Sequence, residues 1–356
     1  MMEMSGLVAF VGSAMAIAFL RPLAGKLQLV DLPNKRKQHV GAIPLIGGLA
    51  VSIGVYLSVF MTMSLSFPLM MLLLCAGAMM VIGAVDDALD ISPKLRLGLQ
   101  ALLIVILCLS TEVGLHHFGD LLGVGDIHLP WGEIVVAVLA VCAAVNAFNM
   151  MDGIDGLAGS MAGISLVGLA TLFSYTMPDM ANFCLVIAIA LVPYLAINLT
   201  IPPFKRKIFM GDAGSMFLGF IIGFLVIYGS QVTEQRPAFR PVMALWLMGL
   251  PLIDMVGIMI RRIRKGQSPL KADRNHLHHI LLHAGFTHRE ALLLMVVTNL
   301  GIVFMGILAE IAKLPEWLMM AIYLVLFAGY TLSLNYAWRV GRWVKSSKNQ
   351  VSNNSN

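Results

Sequence analysis

Charge is scarce in this 356-residue chain. Asp, Glu, Lys and Arg make up only 12% of it against 59% hydrophobic residues, and the mean hydropathy is +0.86. An ordinary soluble domain carries about 25% charged residues, so this class is excluded. Cysteine is also rare: Cys75, Cys108, Cys142 and Cys184 are scattered in apolar sequence with no ligand spacing. They read as small core residues and say nothing about the redox compartment. Lys and Arg are missing altogether between Arg96 and Lys205, so acidic groups in that interval have no local counter-charge. The longest polar stretch, 261–290, is too short for a second folded domain, and no internal repeat is present.

What is abundant is apolar sequence. About eleven stretches approach the roughly 20 residues that a spanning helix needs: 4–20, 45–64, 68–85, 97–110, 133–149, 158–176, 183–201, 215–230, 241–260, 291–311 and 317–336. The expectation is an all-α integral membrane protein of about eleven transmembrane helices. A single polytopic domain covers 1–345, and a polar tail, 346–356, is expected to be disordered. Glu3 before the first stretch and Arg21 after it argue for a retained span rather than a cleaved signal peptide. Assigning alternate loops to one side collects 21 of the 24 Lys and Arg residues there and leaves Arg236, Arg240 and Lys313 opposite. The positive-inside rule then puts the N-terminus in the periplasm and the C-terminus in the cytoplasm. The net charge of +5 reports topology, and nucleic-acid binding is excluded.

On that topology the acidic and amide-rich motifs share the cytoplasmic face. Asp86 and Asp87 follow the third stretch. The fifth closes with N-A-F-N-M-M-D-G-I-D-G, carrying Asn146, Asn149, Asp152 and Asp155. F-M-G-D-A-G-S, from Phe209 through Asp212, opens the eighth. Asp254 lies about two turns inside the ninth, and R-N-H-L-H-H follows, with Arg274, His276, His278 and His279. An ionisable group at membrane depth costs at least about 2.5–3.5 kcal/mol, which makes each a functional-site candidate. Carboxylates and carboxamides along one edge suit a metal and a polar ligand. The four polar residues from Asn146 recur every third position, which a helix would present as a drifting stripe. Gly153 and Gly156 would let the backbone turn and approach a ligand. Asp212 could join the one or two carboxylates that Mg²⁺ takes beside substrate phosphates, at a helix N-terminus that also suits phosphate.

Plainer readings stand beside these. Asp90 or Ser92, before Pro93, is placed to cap a helix. Two adjacent carboxylates exceed what one cap needs, which favours function for Asp86 and Asp87. Asp254 can pair with Arg261 or Arg262, and its role stays open. The His cluster lacks the Cys or acid that would complete a zinc set; it reads as a diphosphate-binding patch or a solvated interfacial loop. His116, His117, Asp120, Asp126 and His128, on the other side, read as a solvated loop. Lys35, Arg36, Lys37 and His39 are accounted for by contact with anionic lipid heads.

In order and topology these motifs resemble the polyprenyl-phosphate N-acetylhexosamine-1-phosphate transferases, from Arg21 to Trp343. The phrases V-D-L-P-N-x-R-K-x-H, I-P-L-I-G-G, A-L-W-x-x-x-x-P-L-x-D-M-V and R-R-x-R-K-G-x-S-P are most similar to the branch that uses undecaprenyl phosphate and UDP-N-acetylglucosamine. The resemblance implies a Mg²⁺- or Mn²⁺-dependent enzyme of the bacterial inner membrane, at the first membrane step of O-antigen or other surface polysaccharide synthesis. It implies Asp86 and Asp87 as base and acceptor-positioning pair, Asp212 as metal ligand, and Asp155 as a catalytic, ligating or outer carboxylate. Asn146, Asn149 and Asp152 would hold the nucleotide or diphosphate and Phe209 would stack on uracil. Arg274, His276, His278 and His279 would grip the donor phosphates, and Arg96 the lipid phosphate. The alternatives are another UDP-N-acetylhexosamine or a muramyl-pentapeptide donor and, from a different class, an ion-coupled transporter. Membrane lipids are the other partners, and a homodimer is left open.

Overall fold

The computed structural model describes residues 2–32, 41–231, 237–268 and 276–353, with side chains from Glu3 to Leu334. The chain is almost entirely helical: α1 (Met2–Leu23), α2 (Gly47–Thr62), α3 (Phe67–Leu89), α4 (Pro93–Thr111), α5 (Glu133–Met151), α6 (Leu157–Phe173), α7 (Pro178–Asn198), α8 (Gly211–Gln231), α9 (Met243–Arg264), α10 (Leu277–His283), α11 (His288–Ile311) and α12 (Glu316–Asn353). The only paired strands among the described residues are β1 (Val30–Asp31) and β2 (Ile43–Pro44), antiparallel with Val30 opposite Pro44. Each expected apolar stretch forms a helix. Nine are long and apolar enough to cross a membrane, among the described residues, while α2 and α6 are apolar but shorter. The protein is a multi-pass membrane protein.

Local signals set the helix ends. Ser92 caps α4 by accepting from the Leu95 N–H at 3.3 Å, with Pro93 in the first turn. Asp90 instead terminates α3 in the left-handed conformation, φ 50°. Thr287 and Glu290 form a reciprocal capping box on α11. The stretch 241–260 does not form a straight span: α9 breaks at Gly249 (φ 45°, ψ −129°), ahead of Pro251. Proline leaves a carbonyl unpaired and clashes with the preceding turn, and the Leu250 N–H is taken by Asn299 of α11 at 2.8 Å. The backbone of α12 runs to Asn353.

The central helix is α8, 94% buried over its most apolar window. Small residues let its neighbours in. A Cβ at Gly83 of α3 would stand 2.5 Å from the Asp212 carbonyl oxygen, and one at Gly219 would stand 2.7 Å from Val145 Cα of α5. At Gly48, α2 meets α8 backbone to backbone at Gly214. All four cysteines are buried and free.

One end of the bundle is closed by polar contacts, correcting the expectation of a solvated loop at His116, His117 and Asp120, while Asp126 and His128 are exposed. Gln231, ending α8, accepts from the His116 and His117 N–H groups at 2.9 and 3.1 Å. Glu316, starting α12, accepts from the Asp120 N–H at 3.4 Å. Burial lowers the pKa of His117, opposed by Asp126. The other end gathers the acidic motifs.

Candidate active site

The close approach at Gly83 brings the last turn of α3 against the start of α8, and its two adjacent carboxylates then do different work. Asp86 is 6% exposed. Its Oδ2 accepts from Arg96 Nη1 at 2.7 Å and its Oδ1 from the Ile91 N–H at 3.0 Å. Asp87 accepts from the backbone N–H groups of Asp212 at 2.9 Å and Ala213 at 3.1 Å. It thereby caps a helix other than its own, satisfying two amides that α8 leaves open and facing the positive end of its dipole. Gly211, at φ 74°, makes the turn that allows this; a Cβ there would stand 2.5 Å from Asp87 Oδ2. The α8 N-terminus, which sequence alone offered to a phosphate, has two of its amides engaged by Asp87.

Asp212 completes the cluster. Its Oδ1 accepts from Asn149 Nδ2 at 2.8 Å, and its Oδ2 lies 3.4 Å from the same Arg96 nitrogen that binds Asp86. Asn149 Nδ2 also donates to Ser215 Oγ at 3.1 Å. The Asp212 side chain is 33% exposed, against 4% for Asp86, so Asp212 is the carboxylate of this pair within reach of a ligand. One guanidinium bridges two carboxylates while a third caps the adjoining helix.

The stripe expected from Asn146 to Asp155 splits, because α5 stops at Met151. Asn146 points to α4, donating to Gln100 Oε1 at 3.1 Å and to the Cys142 carbonyl at 2.7 Å. Asn149 reaches Asp212. Asp152 is the exposed C-cap, and Asp155 is ion-paired with Lys207. Gly156 starts α6, and its N–H donates to buried Asn198 Oδ1 at 2.5 Å. Asn198 Nδ2 donates in turn to the Ile208 carbonyl at 2.8 Å, stapling this turn to the segment before α8. The Phe209 backbone pairs with Pro44 and Gly47, at 2.8 Å each, and its side chain is half-buried.

The His motif packs on the same turn. His276, 6% exposed, places Nδ1 2.7 Å from Asp254 Oδ2. Asp254 also accepts from the Leu277 N–H at 3.1 Å and from the Tyr330 hydroxyl; its partners are these, not Arg261 or Arg262. The His276 and His278 rings stack 5.6 Å apart at 5°, and His279 lies 4.3 Å from His278. His278 is 1% exposed, with neither ring nitrogen hydrogen-bonded. Its ring lies where a Gly153 side chain would start, so the close approach permitted at Gly153 is made by this imidazole. Burial, reinforced by His279 and His276, lowers the His278 pKa to about 3, leaving the ring neutral near pH 7. Arg274, and Lys35 through His39, lie outside the described residues.

The model of glycosyl transferase family 4 matches residues 69–230, the interval that runs from α3 through α8. A Pasteurella multocida protein is 42% identical over 355 residues, covering 98% of each chain, and is named undecaprenyl-phosphate alpha-N-acetylglucosaminyl 1-phosphate transferase. Relatives of the same name from Haemophilus influenzae (39% identical, 97% of each chain) and Escherichia coli (38%, 97% of this chain and 94% of the relative) also align nearly end to end. The chain belongs to this transferase family. That membership sets aside the transporter alternative.

The transferase cluster fits a divalent ion that is shared with a substrate. Among the described residues, no three His, Cys, Asp or Glu side chains form a protein-built metal cage. Mg²⁺ asks for less, one or two carboxylates with phosphate and water oxygens, and half-buried Asp212 with its neighbours can supply that. The sequence did not single out Gln100, Asn198, Lys207 or Tyr330. Single polar residues in apolar helices were the available signal for Gln100, Asn198 and Tyr330; nothing in the spacing pairs Lys207 with Asp155.

Proposed function

We propose that this protein transfers N-acetylglucosamine-1-phosphate from UDP-N-acetylglucosamine to undecaprenyl phosphate at the cytoplasmic face of the bacterial inner membrane. The observation that carries the reading is the cluster in which Arg96 bridges Asp86 and Asp212 while Asn149 and Asp87 bond Asp212, at one end of an apolar bundle, in a chain aligned end to end with transferases. The products are undecaprenyl-diphosphate-N-acetylglucosamine and UMP, and the lipid product starts O-antigen or another surface polysaccharide.

An oxygen of the lipid phosphate attacks the sugar-linked phosphorus of the donor, and the bond from that phosphorus to the UMP oxygen breaks. Phosphoryl transfer of this kind depends on alignment and charge neutralisation. Arg96 meets the lipid phosphate from its place between Asp86 and Asp212. Asp86 keeps that guanidinium in position, and Asp87 keeps the start of α8 in position. Asn149, Asp152 and Phe209 form the nucleotide side, with Phe209 stacking on uracil. Asn146, one turn before Asn149 on α5, is tied to Gln100 of α4, and Asp155 acts through Lys207. The His276–His279 turn, with Arg274, would face the donor diphosphate, and His278 packs beneath it against Gly153. A Mg²⁺ or Mn²⁺ ion held by Asp212 would neutralise charge gathering on the diphosphate. The Asp87-Ala-Leu-Asp run and the Arg-Asn-His-Leu-His-His loop favour N-acetylglucosamine over a muramyl-pentapeptide donor.

The lopsided Lys and Arg distribution supports eleven spans, with α2 and α6 as the two short ones and the N-terminus in the periplasm. Purified protein given both substrates and Mg²⁺ should release UMP and yield a lipid diphosphate sugar by mass spectrometry. A lipid monophosphate sugar with release of UDP refutes the mechanism, and preference for a muramyl donor refutes the subgroup.

A further inference from the structure

Asp254 is a fully buried carboxylate to which the mechanism above gives no task. It is 0% exposed, deep within α9, where an isolated charge is costly. Three donors converge on it: His276 Nδ1 at 2.7 Å, the Leu277 N–H at 3.1 Å and the Tyr330 hydroxyl from α12. A carboxylate only accepts hydrogen bonds, so the imidazole nitrogen facing it must carry the proton. His276 Nε2 makes no hydrogen bond among the described residues, and the ring stacks in parallel on His278, which lies over the Gly153 turn.

We infer that Asp254 is a positioning residue for the transfer reaction. It fixes His276 with the proton on Nδ1 and leaves Nε2 as the ring atom open to the donor substrate. Tyr330 and the Leu277 N–H hold the carboxylate so that it can do this, tying the last helix to the His segment. The inference rests on the transferase reading.

The test uses full-length protein in detergent with UDP-N-acetylglucosamine, undecaprenyl phosphate and Mg²⁺, reading UMP release. Asp254→Asn retains the side chain's size and an oxygen for Leu277 and Tyr330, but turns an amide N–H on His276 and forces the opposite tautomer. Inverting a tautomer in this way can cost about 10⁴-fold in other enzymes. Here kcat/KM for the donor should fall about 10²-fold or more, with KM for undecaprenyl phosphate unchanged. Asp254→Asn with His276→Ala should be no slower than His276→Ala alone, because the first acts through the second. His276→Asn supplies an N–H to Asp254 but nothing at the Nε2 position, so it should accumulate normally and turn over poorly. That variant decides the matter even if Asp254→Asn does not fold. Turnover of Asp254→Asn or His276→Asn within threefold of wild type overturns the inference alone, as does a double variant whose losses multiply. Failure of wild-type protein to release UMP overturns the transferase reading and the inference with it.

Discussion

Replacing Asp212 with Asn should leave the fold standing and stop the reaction. Asp212 Oδ2 is 3.4 Å from Arg96 Nη1, and at an effective dielectric near 20 that attraction is worth about 5 kcal/mol. The same nitrogen is 2.7 Å from Asp86 Oδ2, which keeps the two carboxylate oxygens within about 6 Å of each other. Asp87 sits one hydrogen bond from the Asp212 backbone. A like charge at about 6 Å opposes Asp212 by about 3 kcal/mol, and the Asp87 carboxylate adds to that opposition, so much of the attraction is offset. The Asn carbonyl can still accept from Asn149. Thermal midpoint should therefore shift by no more than about 2–4 °C. Turnover should fall at least about 10²-fold, because the accessible carboxylate that meets metal and phosphate charge is gone. The assay pairs UMP release with fluorescence-detected unfolding of the same preparation. A variant within threefold of wild-type turnover, or one whose midpoint drops by 10 °C, would show that Asp212 supports the fold instead of the chemistry.

The neighbouring carboxylate should behave otherwise. Asp87→Asn leaves an amide facing two backbone N–H groups of α8, so it should lose about 1.5–3 kcal/mol of stability along with activity; an unchanged unfolding midpoint refutes the cap. Gly48→Ala drives a methyl into the Gly214 backbone and should lower accumulation and thermal stability sharply, whereas wild-type yields would deny that close crossing. His278 has a folded pKa of about 3 against an ordinary 6.5, so the unfolded chain takes up this proton first as pH falls. Stability from this residue is present above about pH 6.5 and is lost toward pH 3; His278→Phe should show a shallower decline between those values, and parallel curves for the two proteins refute a buried neutral ring. Cysteines placed beside Asp87, Asp152 or Asp212 in a variant without the four native ones should resist an impermeant thiol reagent on intact cells. Labelling of any of them from outside breaks the proposed orientation.

Sequence alone determined the membrane class, because scarce charge and eleven apolar stretches leave no other way to bury the chain. It also singled out the acidic and His motifs, since each polar group interrupts sequence that is otherwise apolar. Helix ends were legible where capping chemistry is local, as at Ser92 and Thr287. Pairing was not. Whether Asp87 caps α8 from α3 depends on glycines letting the two helices approach over 125 residues of sequence separation, and whether Asp86 meets Arg96 depends on how α3 and α4 fold back on each other. The stripe from Asn146 came apart because α5 stops at Met151, which periodicity could not foresee. The partners of Asp155 and Asp254 likewise follow from packing: Lys207 reaches one, while His276 and Tyr330 reach the other. Hydropathy records how deep a residue can lie. Only the tertiary structure decides which buried donor lies opposite it, because that is a matter of a few ångströms between helices rather than of composition along one of them.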